Sequence, residues 1–158
     1  MPFRYRLQKV LDFRIKKKEE QLQEVLKAKQ EVDRIQKLID DNNLEIKGVI
    51  KIMRTTTDYR QMDSYDKYLK HLYEKGDELE KQKQDAIKKL EEEQAKLVER
   101  EKEVKVLEKH KEKALEAYRE EEKIAENKLL SEVAVQKYFR VKQEQKEEEI
   151  EEEIHIDD

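Results

Sequence analysis

The chain of 158 residues has no cysteine and no tryptophan, a single proline (Pro2) and only two glycines, Gly48 and Gly76. Without cysteine there is no disulfide framework and no thiolate metal site. A phosphate-cradling loop needs several glycines to bring backbone N–H groups close to the anion, and two isolated glycines cannot build one. The three histidines, His71, His110 and His155, stand far apart with no metal-ligand spacing. No apolar run is long enough to span a bilayer. The opening residues interleave Arg and Lys with Asp12 and Phe13 and lead into no signal-peptide core. Acidic pairs are abundant, but a catalytic carboxylate pair needs a cleft, and an exposed helix offers none. The expectation is a chain that is not an enzyme and uses no cofactor or metal.

Charge is what the sequence has in excess: 48% of residues are Asp, Glu, Lys or Arg and 35% are hydrophobic. Disorder would favour proline, glycine and serine, whereas Glu, Lys, Gln, Leu and Ala dominate here, as in long helices. So little apolar content fills a narrow seam rather than a broad core. The net charge is −4, but the ends differ in sign. Residues 1–18 carry seven basic side chains against Asp12, and residues 143–158 carry nine acids against Lys146. The acidic end reads as a solvated tail, with docking on a basic surface as the alternative. The basic start, with its interleaved aromatics, is too short and the overall balance too acidic to indicate nucleic acid or a lipid surface.

A seven-residue repeat organises the rest. Leu11, Val25, Val32, Ile39, Ile46 and Met53 stand on one ladder broken only by Lys18, with Ala28, Ile35 and Val49 as a companion row. A second ladder holds Leu69, Leu90, Leu97, Val104, Tyr118 and Ala125, interrupted by Gly76, Lys83, Lys111 and Glu132, beside a row of Leu72, Leu79, Ala86, Leu107 and Ala114. A sustained period of seven is a coiled-coil seam. Thr55, Thr56 and Thr57 weaken a helix, and Asp58, Asp63 and Ser64 suit helix starts. The reading is an all-α protein, a long antiparallel two-helix coiled-coil hairpin: helix about 3–54, turn about 55–62, helix about 63–148, then a disordered acidic tail over 149–158.

A turn centred near residue 59 pairs Ile46 with Leu72, Ile39 with Leu79 and Leu11 with Leu107. It sets Lys18 against Arg100 and Val25 against Glu93, a zone expected to pack loosely or to be satisfied by another molecule. The first helix runs out near Phe3, opposite Leu115, so the second overhangs. The overhang carries Ile124, Leu129, Leu130, Val133, Val135, Tyr138 and Phe139, apolar surface that needs a cover. Four of the seven tyrosines, Tyr59, Tyr65, Tyr68 and Tyr73, gather near the turn. They either plug its end or form a docking patch.

Both ends resemble a known family. The opening FRYRLQKVLDFRIKKKEEQ and the segment LEKHKEKALEAYREEEKIAENKLLSEVAVQKYFR, residues 107–140, are similar to the two ends of the flagellar export protein FliJ family, soluble coiled coils of the flagellar type III secretion apparatus. The resemblance implies a stalk-like hairpin that binds the hexameric flagellar export ATPase with its terminal end in the ring. It further implies contact with the cytoplasmic domain of the export gate and with export chaperones. The location implied is cytoplasmic, with peripheral association at the cytoplasmic face of the inner membrane through protein partners. On that basis Arg4, Arg6, Tyr118, Leu129, Val133 and Phe139 are the expected ring-binding residues, and Tyr65, Tyr68 and Leu72 the gate or chaperone residues. The competing readings are a stalk subunit of a rotary ATPase and a plain structural coiled coil working as a dimer.

Overall fold

A computed structural model describes residues 2–156 of the chain. Two helices account for nearly all of it: α1, Gln8–Thr55, and α2, Tyr59–Ile156. At 1.5 Å per residue α1 is about 72 Å long. The chain divides into two compact units. One spans Leu7–Leu107; the other joins the N-terminal segment up to Arg6 with the part of α2 from Glu108 onward.

In the Leu7–Leu107 unit, α1 and α2 pack antiparallel along the two expected ladders. The buried residues of α1 are Leu11, Val25, Ala28, Ile35, Asn42 and Val49, and α2 answers with Leu72, Leu79, Val104 and Leu107. Leu11, Val104 and Leu107 form one core cluster, flanked by Leu7 and Ile15. Each buried aliphatic contributes roughly 1.5–3 kcal/mol. The register lies close to the expected one, since Asn42 reaches Leu72, Gln21 reaches Glu93 and Arg14 reaches Glu103.

The turn is shorter than the sequence suggested. The hydroxyls of Thr55 and Thr56 both donate to the Ile52 carbonyl at 2.9 Å, satisfying an orphan acceptor at the end of α1. Thr56 then turns extended. The Asp58 carboxylate accepts the Arg60 N–H at 3.0 Å and starts α2 at Tyr59, ahead of Asp63 and Ser64.

Gly76, an interruption of the expected ladder, forms a pair with Asn42. Asn42 is 4% exposed and donates its Nδ2 to the Leu72 carbonyl at 2.9 Å. Gly76 lies against it: a Cβ there would stand 3.1 Å from the same nitrogen. Glycine on α2 is thus what lets a polar amide reach the backbone of the opposite helix. Asn42 Oδ1 is buried without a partner.

The zone expected to be loose is closed by polar contacts inside the chain. Gln21 donates to both the Glu93 carbonyl at 3.0 Å and its carboxylate at 2.5 Å. Arg14 donates to the Glu103 carbonyl at 3.0 Å. These bonds replace apolar packing across the seam, so no second molecule is required there. The Glu93 carboxyl is held below its ordinary pKa, first by the Gln21 hydrogen bond and further by Lys96.

The helix ends differ from the sequence expectation in both directions. α1 begins at Gln8 rather than near residue 3, because residues 2–6 run as a non-helical segment. α2 is helical through residues 149–156, where a disordered tail was expected. Glutamate is a good helix former and neither glycine nor proline interrupts it; Asp157 and Asp158 lie outside the described residues.

Candidate partner-binding surfaces

The unit that contains the N-terminal segment holds the six residues expected to bind a ring. Residues 3–6 alternate: Phe3 and Tyr5 are half-buried, Arg4 and Arg6 exposed. That is the period-two pattern of an extended strap lying on a surface. Its aromatics grip α2: Phe3 packs tilted against Tyr118 with ring centroids 5.4 Å apart, and Tyr5 lies 5.6 Å from His110. The Tyr5 hydroxyl and His110 Nδ1 are hydrogen-bonded at 2.6 Å. Tyr118 also donates its hydroxyl to Glu122 at 2.7 Å, which raises its pKa.

Beyond Tyr118 every described residue of α2 is exposed. Leu129 is 61%, Val133 54% and Phe139 63% exposed. By helical spacing Leu129 and Val133 continue the stripe of Tyr118. Ile124, Val135 and Tyr138 fall on a second stripe, and Leu130 and Val141 on a third. Tyr138 packs edge-on against Phe139 at 6.0 Å, with Lys142 over its ring.

The expected gate or chaperone residues lie in the Leu7–Leu107 unit and have unequal fates. Tyr68 is 40% exposed and its hydroxyl donates to Glu45 at 2.5 Å, raising its pKa. Tyr65 is half-buried. Leu72 is 3% exposed, which corrects its assignment to a docking face: it is a seam residue whose carbonyl holds Asn42. Sequence reasoning left Tyr59 and Tyr73 unassigned; both are exposed, and helical spacing puts each on a different side of α2 from Tyr68. Among the described residues there is no cluster of His, Cys, Asp or Glu able to hold a metal, and no helix is long and apolar enough to cross a membrane.

The architecture defines a class: an all-α protein built of two long helices packed against each other. The match to known proteins then gives the family. Residues 3–144 match the family described as Flagellar FliJ protein, and the chain belongs to it. Membership makes it a flagellar export component. No curated protein and no solved structure matches the chain.

Proposed function

We propose that this protein is a stalk-like coupling element of flagellar type III export, binding the hexameric export ATPase through the end of α2 and engaging the export gate and chaperones near the turn. The observation that carries this reading is the stretch of α2 beyond Tyr118, exposed throughout yet apolar on several stripes. A flat partner covers one stripe of a helix; a ring of subunits covers all of them. Arg4 and Arg6 on the strap add a basic rim beside it. The turn end offers Tyr59, Tyr68 and Tyr73 as exposed rings, residues that can bury area against a partner and carry a polar tip. Acting by contact alone, such a protein works at the cytoplasmic face of the inner membrane through its protein partners.

The test is the turnover of the purified export ATPase with and without this protein, at low protein concentration and two salt levels. Stimulation together with ring assembly supports the reading, and salt sensitivity implicates the charged ends. Replacing Leu129 and Val133 with serine abolishes the stimulation while helicity is retained. Absence of stimulation and of co-migration refutes it.

A further inference from the structure

A continuous face of α2 stays uncovered from Lys109 to Glu153. It is distinct from the stripe that meets the strap at Phe3 and Tyr118. At helical spacing it contains Lys113, Ala117, Glu120, Ile124, Ser131 and Tyr138, all exposed. We propose that this face pairs with the same face of a second copy of the chain, antiparallel, about a twofold axis at Ser131.

Charge complementarity within the face selects that occupant. With the axis at Ser131, Lys109 meets Glu153, Lys113 meets Glu149, Glu116 meets Lys146 and Glu120 meets Lys142 of the second copy. Twofold symmetry repeats each pairing, and no like charges stand opposite each other on the face. Between the charged arms Ile124 meets Tyr138 and Asn127 meets Val135; Ile124, Val135 and Tyr138 are each more than half exposed in the single chain. Ser131 at the axis is small enough for close approach of the two backbones.

Other alignments fail on the same residues. Moving the pairing by seven residues one way opposes Lys109 to Lys146 and Lys113 to Lys142. Moving it the other way opposes Glu116 to Glu153 and Glu120 to Glu149. A parallel, in-register pair sets every charge against itself. The facing charges thus determine both direction and register, as flanking charges do in coiled coils. The pairing covers apolar surface that the single chain leaves in water; because it takes the Ile124, Val135 and Tyr138 stripe that the export reading gives to the ring, the paired chain is a state that excludes ring binding and comes apart before it.

The full chain has no cysteine, so introduced thiols report the geometry directly. Mass is measured by light scattering and sedimentation across a concentration series at low and high salt, with mild oxidation of single-cysteine variants alongside. The expected results are a salt-sensitive species of twice 19.3 kDa and a rapid self-crosslink for Ser131→Cys. Ala117→Cys crosslinks to a Gln145→Cys chain but not to itself, and Glu101→Cys, outside the face, crosslinks slowly. Glu120→Lys and Lys142→Glu each weaken association about tenfold, and the double variant restores it. A chain that remains monomeric throughout, or an Ala117→Cys self-crosslink as fast as that of Ser131→Cys, overturns the proposal. Monomer together with stimulation of the ATPase removes this inference and leaves the export reading standing.

Discussion

Substituting alanine for Gly76 has an effect whose sign depends on Asn42. In an ordinary helix interior, glycine to alanine stabilises by about 1 kcal/mol through backbone entropy. Here the new methyl stands 3.1 Å from Asn42 Nδ2, which is held at 2.9 Å from the Leu72 carbonyl. To accommodate it, the amide must move and weaken a hydrogen bond worth about 1 kcal/mol. Gly76→Ala in the natural chain is therefore near neutral. Asn42→Ala alone loses that bond but also removes the buried, unpartnered Oδ1, whose desolvation costs about 1–3 kcal/mol; it too lands near neutral. The double substitution recovers the full propensity gain and ends about 1 kcal/mol or more above the natural chain. A double-mutant cycle by urea unfolding, followed by circular dichroism, reads this as a coupling of about 1 kcal/mol between positions on opposite helices. Equal stabilisation by Gly76→Ala in both backgrounds refutes the close approach.

Leu72→Ala lowers stability by about 2–5 kcal/mol, as for other buried leucines, whereas Tyr68→Ala on the exposed side changes it by less than about 1 kcal/mol; chemical denaturation separates them. The strap should be releasable: Phe3→Ala with Tyr5→Ala accelerates tryptic cleavage after Arg4 and Arg6 while the helical signal remains. Acid sensitivity follows from Glu93, whose carboxyl is depressed by Gln21. A depressed carboxyl contributes stability above its unfolded pKa and loses it as the pH falls through its folded value. Gln21→Leu therefore makes the stability profile flatter on acidification, measured by thermal melts across the carboxylate range.

The seam was legible because period seven survives in the apolar residues alone, and Leu11, Val25, Ala28, Ile35 and Val49 all bury as that period requires. Asn42 was passed over for being polar, although it stands midway between Ile35 and Val49 on the same row. Gly76 looked like a break because its partner was not recognised; the two are intelligible only together. The strap was hidden by the expectation that a helix begins early, yet the alternation of Phe3, Arg4, Tyr5 and Arg6 is a period-two signal. Leu72 shows the limit of reading docking residues from residue type. Its place on the ladder with Leu79 already marked it for the interior, and its nearness to the tyrosines obscured that. The surfaces past Tyr118 were visible as apolar content, while their spread over several stripes required the helix to be continuous to Ile156.

The short turn at Thr56–Asp58 also orders the events of folding. Cross-helix contacts span 23 residues at Tyr68 and Glu45, 30 at Asn42 and Leu72 and 72 at Gln21 and Glu93, and the strap's contact spans 105 at Tyr5 and His110. Contacts at small separation close cheaply, and each formed pair shortens the loop left for the next. Assembly therefore proceeds as a zipper from the turn, with the aromatic strap latched last. On the ribosome α1 emerges first and holds its apolar stripe in water until the residues after Asp58 arrive to cover it. The polar Asn42, Gln21 and Arg14 distributed along that stripe keep the waiting half of the zipper from sticking to itself.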